Sequence, residues 1–398
     1  MQHSLGAAVI GTGFAGAQHV EALRRIGVPV RVLVGSEEGR ARGAADRLGV
    51  ERSGADVQAA IGDPEVDVVH VCVPNALHVP IVRAALDAGK HLVCEKPLAT
   101  TAADALELAR VARSASGRSV LCHNYRFYPM AAEMRARVAR GDIGRPHLVR
   151  GGYLQDWLLA PDATSWRVDP AAGGPSRAVA DIGTHWIDLA ETVVGRHVEA
   201  VMAWIGTVHD RRPDPRHVES FGRAAGGELV EVHTEDQAAV LLRFGGAMGS
   251  ATFSQVAAGH RNDLSLAIDG EGGSLEWRQE RPDELRMATL GGPRQILDRD
   301  PNALTPGAAS LARLPAGHGE GWADGLRNLL SEAYAEIDGR RGSDAEEAVP
   351  LPTFDDGARH LAFVEAVLRS QATGEWVTIG DITGDRPAER QPAEEVSS

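Results

Sequence analysis

Three residues in this chain could move a proton, and one short turn could hold a dinucleotide. Lys96 is one of two lysines, with Lys90, among 41 basic residues. Arginine serves wherever positive charge alone is needed. A retained lysine marks a place for an amine that can give up a proton and take it back, because a guanidinium stays protonated. Asp181 and His185 stand four apart at the start of a helical segment and so share one face. There a neutral imidazole can accept a hydroxyl proton, while Asp181 orients a substrate or stabilises the imidazolium. Without a ligand, the same pair reads as a helix cap and a partly buried core histidine. Gly11-Thr12-Gly13-Phe14-Ala15-Gly16 is a complete G-x-G-x-x-G between a strand and a helix, the context in which that turn cradles a pyrophosphate.

Within the turn, Gly11 makes the bend, Gly13 lets the pyrophosphate approach backbone and Gly16 lets helix and strand pack. Thr12, Phe14 and Ala15 complete the anion-facing helix start. The plain alternative is a glycine-rich turn of another α/β fold. The second strand runs into Val34-Gly35-Ser36-Glu37, so Gly35 stands where an acid for the ribose hydroxyls is usual. Ser36 could hold a ribose hydroxyl or a phosphate. Glu37 could accept from the hydroxyls and Arg40 could meet a 2′-phosphate; both read equally as solvated first-turn residues. The balance favours NAD, with NADP left open.

Such groups need a sheet that delivers them to one edge. Apolar strands at 7–10, 29–34, 66–73, 91–94 and 119–122 alternate with helical stretches at 19–26, 39–48, 80–88 and 101–114. That grammar predicts an α/β chain with an N-terminal, doubly wound parallel Rossmann sheet over residues 1–124. Pro97 ends pairing after strand 91–94, which puts Lys96 at the sheet's C-terminal edge, where such folds bind ligands. From residue 125 to 384 the pattern predicts an α+β domain: helix 130–140, strand 147–157, helix 183–194, then strand after strand from Val198 to about Ile296. Gly245-Gly246 and Gly270-Glu271-Gly272-Gly273 read as hairpin turns of a large, mostly antiparallel sheet with one open face. Helices 322–338 and 355–371 are expected to close this domain. Residues 210–233 read as a polar surface excursion, and 385–398 as a disordered tail.

Composition narrows the function. The 398 residues are 43% hydrophobic and 24% charged, which suits a globular chain of two domains. A net charge of −14 with no basic block argues against nucleic acid. No apolar run is long enough for a membrane span, and the first residues lack a secretory pattern, so the cytoplasm is the expected location. Cys72, Cys94 and Cys122 lie in or beside apolar strands and read as reduced thiols. No residue spacing suggests a metal, and the remaining histidines, His19, His209 and His217 among them, read as packing or surface residues.

Three further motifs follow in order: Val73-Pro74-Asn75-Ala76-Leu77-His78, Cys94-Glu95-Lys96-Pro97 and Asp181-Ile182-Gly183-Thr184-His185. With the glycine turn, they resemble the glucose–fructose oxidoreductase / inositol dehydrogenase / MocA family over nearly the whole chain. Tyr153 to Trp157, Ser165-Trp166-Arg167 and Gly317 to Trp322 resemble the narrower group of levoglucosan dehydrogenase and related pyranoside 3-dehydrogenases. The resemblance implies oxidation of a secondary hydroxyl of a sugar, anhydrosugar, glycoside or polyol, with ring carbon C3 a candidate. It implies His185 as acid/base, assisted by Asp181 and Lys96, with Asn124 near the nicotinamide and Arg126 at the domain junction. It also implies Trp166 and Arg167 against the cofactor.

Pro74, Asn75 and His78 follow a core strand and would border the nicotinamide ribose, or else form an Asn turn and a helix-start histidine. Glu95 would bind the cofactor side or brace Lys96. In strand 147–157, Tyr153, Gln155 and Trp157 share a face by alternation, suited to stacking on a pyranose and reading its hydroxyls, or to core packing. His318, in a glycine-rich loop, could complete the substrate pocket. Two other functions use such folds: glycosidases that oxidise the sugar transiently, and dinucleotide-sensing regulators. Lys96, Asp181 and His185 argue against a sensor. The open sheet face predicts a homo-oligomer, dimer or tetramer.

Overall fold

The computed structural model describes residues 5–215, 222–223, 228–341 and 348–384. The predicted tail 385–398, His217 and much of the 210–233 excursion lie outside them. A six-stranded parallel sheet comes first. Its strands begin, in spatial order, at Ser53, Val30, Ala7, Val68, His91 and Ser119. Ala7–Ile10 and Val68–Val71 are buried at every position, as expected where helices cover both faces of a parallel sheet. The short edge strand Ser53–Gly54 had no sequence signal, being too short to show a period. All three cysteines are free and buried.

The second sheet has nine strands, beginning in order at Arg294, Arg281, Gly273, Asp263, Pro146, Ala247, Gln237, Ala200 and Val377. Pro146–Leu154 and Ala247–Ser254 run parallel, while the other neighbours are antiparallel. Gly245 and Gly246 both have positive φ (54° and 101°) in the tight hairpin that joins two of these strands, a conformation that favours glycine. Helices Pro129–Arg140, Thr184–Val194 and Phe354–Thr373 cover one face of the sheet. The other face leaves Trp204, Leu241 and Met248 exposed.

Several expectations need correction. Helix Trp322–Ile337 does not close the second domain. Its stripe of Leu326, Leu329, Leu330, Ala333 and Tyr334 packs with Val20 and Leu23 on the face of the first sheet. Periodicity marks an apolar stripe but not the partner it will bury. The strand predicted over 147–157 ends at Leu154; Asp156 opens a turn in which the Leu159 N–H donates to its carbonyl at 3.0 Å. The described ends of the excursion are anchored, not loose. Arg212 is fully buried and donates to Leu158 O and Ala163 O, at 2.8 and 2.9 Å, and to Asp236. Among the described residues, no helix is long and apolar enough to cross a membrane.

Candidate active site

The parallel strands deliver their C-terminal ends to one rim, and two adjoining cavities open there. The first, of about 440 Å³, is walled by the glycine turn. A Cβ on Gly11 (φ 121°) would stand 2.1 Å from Cys72 O, and one on Gly16 would stand 1.9 Å from Gly11 O. Only glycine lets this strand, turn and helix meet so closely. Gly13 precedes the helix Phe14–Ile26 and provides no side-chain cap. The start of that helix faces the cavity, as a pyrophosphate requires. Thr12, Phe14, Ala15 and Ser36 line this space as predicted, and so do Pro74 and Asn75. Asn75 is held by a 2.9 Å bond to Gly173 O. Trp166 and Arg167 line it as well, with the guanidinium 4.4 Å from the indole centroid. An extended dinucleotide fits these residues: a backbone cradle for phosphates at one end, Lys96 and Glu95 at the other.

Three predicted cofactor contacts fall outside it. Glu37 and Arg40 are exposed and do not line the cavity; Gly35, Ser36, Ala55 and Val57 form that wall. The helix begins at Glu38, whose carboxylate accepts from Ala55 N–H at 3.1 Å, and this turns its neighbours to solvent. His78 is fully buried, its ring nitrogens 2.8 Å from Pro97 O and 3.0 Å from Val73 O. It ties the two motif loops together beneath the cleft.

The second cavity, of about 340 Å³, shares Phe14, Ala15, Glu95, Lys96 and Arg167 with the first. Lys96, Asp181, His185, Asn124, Tyr153 and Gln155 meet here, drawn from both domains. Lys96 Nζ donates to Asp181 Oδ1 at 2.8 Å and to its carbonyl at 3.1 Å. Arg167 Nε and Gln255 Nε2 also donate to the Asp181 carboxylate, at 3.2 and 2.8 Å. Burial alone would raise the pKa of Asp181. The charges of Arg167 and Lys96, with the hydrogen bond from Lys96, overcome it and hold the group ionised well below the usual carboxylate range. Asp181 is therefore not a helix cap. It sits in a single π turn, Val179–Gly183, ahead of helix Thr184–Val194, a distortion common at functional sites.

His185 is pushed well below its ordinary pKa by burial first, then by Lys96 and His123. It is thus a neutral imidazole at physiological pH, the form able to accept a proton. Its ring meets Tyr125 edge-on at 4.9 Å. The far wall is a hydrogen-bonded set. Tyr125 OH lies 2.7 Å from Tyr153 OH, and Tyr153 OH donates to Asn262 Oδ1. Asn262 Nδ2 donates back to Tyr125 OH at 3.2 Å, and Gln155 Nε2 donates to Asn262 Oδ1 at 3.1 Å. Trp157 Nε1 donates to Gln155 Oε1 at 2.9 Å, so the indole reaches the cavity although its strand has ended.

His318 does not reach this pocket. Its side chain is exposed, and its carbonyl is bound by Arg299 in a loop on the outer surface. Asn124 lines the second cavity beside Trp322, to whose carbonyl it donates at 3.5 Å. Arg126 lies at the junction as expected, paired with buried Asp188 at 2.5 Å. Sequence reasoning missed Asn262 and Tyr125 as cavity residues, and Gln255 as the donor behind Asp181. Gln255 and Asn262 follow or precede sheet strands, and 74 and 107 residues separate them from Asp181 and Gln155; no local spacing marks such partners. It also read His19 as packing, whereas its imidazole bonds Glu95 at the cleft.

Residues 5–123 match the oxidoreductase family with an NAD-binding Rossmann fold, and residues 131–276 match the GFO/IDH/MocA C-terminal domain. The chain is 32% identical over 400 residues to levoglucosan dehydrogenase of Pseudarthrobacter phenanthrenivorans, covering 96% of this chain and 99% of that protein. A structure of levoglucosan dehydrogenase in complex with NADH and levoglucosan superposes with a TM-score of 0.83 at 31% identity, covering 95% of this chain and 100% of that one. An inositol dehydrogenase homolog from Azotobacter vinelandii, complexed with NAD+, superposes at 0.81 with 28% identity, covering 94% and 97%.

Proposed function

Because the chain belongs to the GFO/IDH/MocA oxidoreductases, whose first domain is an NAD-binding Rossmann fold, we propose that it oxidises C3 of a pyranose, as a glycoside or anhydrosugar. The observation that carries this reading is the convergence of Lys96, Asp181 and His185 in a cavity that shares its inner wall with the dinucleotide cavity. Bound NAD supplies the hydride acceptor. Neutral His185 takes the hydroxyl proton. The Lys96 ammonium, fixed by Asp181, donates to the reacting oxygen as negative charge develops on it. Gln155 and Asn262 offer amide groups to ring hydroxyls, and Trp157 offers an apolar face to ring C–H bonds. The phosphate end carries Ser36 but no basic side chain in its lining, which favours NAD over NADP. The exposed Trp204, Leu241 and Met248 on the open sheet face favour a second copy as its cover.

The test is an initial-rate screen with NAD or NADP against levoglucosan, methyl glucosides, free hexoses and inositols. A methyl glucoside carrying deuterium only at C3 should then yield deuterated NADH. Turnover that leaves the label on the sugar would exclude C3. Aglycone release without net NADH would move the assignment to redox-assisted glycoside cleavage.

A further inference from the structure

Behind the cleft, three side chains from three elements form one buried hydrogen-bonded chain. His19 lies on helix Phe14–Ile26, His70 on strand Val68–Val71 and Tyr334 on helix Trp322–Ile337. All three are fully buried, in the layer that otherwise holds Val20, Leu23 and Leu330. Tyr334 OH lies 2.9 Å from His70 Nε2, His70 Nδ1 lies 2.8 Å from His19 Nδ1, and His19 Nε2 lies 3.1 Å from Glu95 Oε1. Polar groups in such a layer are costly unless each is satisfied, and aliphatic side chains would fill the same space.

The hydrogen positions follow from the partners. A carboxylate can only accept, so His19 carries its proton on Nε2. With a single proton on its ring, His19 accepts at Nδ1, so His70 donates from its own Nδ1. Neutral His70 accepts at Nε2, so Tyr334 donates its hydroxyl. Every donor in the chain points toward Glu95. Glu95 is the member that lines both cavities, and its Oε2 accepts from the backbone N–H of Lys96 at 3.2 Å. We propose that Tyr334, His70 and His19 are positioning residues that hold the Glu95 carboxylate in place against Lys96 through this buried hydrogen-bonded chain.

Burial alone would raise the Glu95 pKa; the hydrogen bond from His19 and the charge of Lys96 bring it below its ordinary value. Cys122 approaches the same His19 nitrogen at 3.7 Å, and Cys72, Cys94, His78 and His123 are further titratable groups packed close to Glu95. Lys96 is thereby held at both ends: its ammonium by Asp181 and its backbone N–H by Glu95. Lys96 serves as the donor to the reacting oxygen, and His185 as the base. The effect on turnover rests on the sugar-oxidation reading; the spectroscopic readouts use apo-protein and fail separately.

His19→Gln keeps a donor for Glu95, whereas His19→Leu removes it. The Leu variant should lose on the order of tenfold in kcat with NAD affinity unchanged, and its acidic limb should move up by about one pH unit. Infrared titration of apo His19→Leu should show a carboxyl protonating at higher pH than in the native protein, and the Gln variant should restore both features. Equal losses in the two variants, with an unmoved limb and no new carboxyl band, would overturn the assignment. If His19→Leu fails to fold, imidazole nitrogen–proton correlation spectra of the native apo-protein decide. Protons on His19 Nε2 and His70 Nδ1 are required; a proton on His19 Nδ1 instead breaks the chain.

Discussion

The cleft wall contributed by the first domain is made largely of backbone, while the wall contributed by the second is made of side chains. In the first, Gly11 and Gly13 bring peptide groups to the cavity, and no Cβ fits at Gly11 or at Gly16, which packs behind it. In the second, Tyr153, Gln155 and Asn262 hold one another through hydrogen bonds that join distant strands. Lys96 crosses between the two walls, since its ammonium grips Asp181. Its counterpart Lys90 makes the same point from the other direction: it donates to Asp63 O and Val66 O, at 3.1 and 2.6 Å, and braces a loop. A wall of backbone fails abruptly when any side chain intrudes. A wall of side chains should lose function in steps.

Gly11→Val strikes the backbone wall and should have the largest effect. Its branched side chain meets Cys72 O with no room to yield, a clash expected to exceed about 4 kcal/mol. Calorimetry should find no NAD binding, and binding at native affinity would refute the backbone account. Lys96→Met breaks the bridge between the walls. It should spare the NAD dissociation constant and lower kcat by on the order of a hundredfold or more. Turnover close to that of the native enzyme would remove Lys96 from the mechanism.

Gln255→Leu tests the second wall. Asp181 would lose one of its buried donors, worth about 1–3 kcal/mol. Turnover should fall roughly tenfold, less than for Lys96→Met, and a larger fall would mean that Gln255 also touches substrate.

Acid should weaken both walls. Burial holds His70, His123 and His185 well below their ordinary pKa, and His360 at about 4. The unfolded chain binds those protons below about pH 6.5 and the folded chain does not, so stability must fall as pH drops from there toward the folded values. The lowered carboxyls of Glu95 and Asp181 add a further loss below about pH 4. The melting temperature should be flat above pH 7 and decline toward pH 5; a flat curve throughout would contradict neutral buried histidines. Arg40→Ala should do least, changing the Michaelis constant for NAD by less than about twofold, because Arg40 stands outside the cavity. A large rise would return Arg40 to the cofactor site.

The first wall was legible because its chemistry is local. Three glycines at fixed spacing, a strand end and a Glu-Lys-Pro need only near neighbours to acquire meaning. Where local reasoning failed there, at Glu37, Arg40 and His78, one helix turn decided which way a side chain faced. Lys96 at the rim of the first sheet, and Asp181 and His185 in the second domain, were legible as types and motifs, and Tyr153 and Gln155 by alternation. Their mutual contacts were not. His318 has a side chain that could complete a pocket, but Arg299 holds its loop on the surface.

By itself the sequence determined the alternation of strand and helix, the glycine turn and the residue types capable of proton transfer. These depend on backbone preference and on side-chain chemistry, which a residue carries wherever it goes. Tertiary structure alone decided that Asn262 completes the cleft and Gln255 braces Asp181, that helix Trp322–Ile337 covers the first sheet and that His19, His70 and Tyr334 line up behind Glu95. Hydrogen bonds and apolar stripes specify what kind of partner they need, and only the packed chain specifies which partner is near enough to serve.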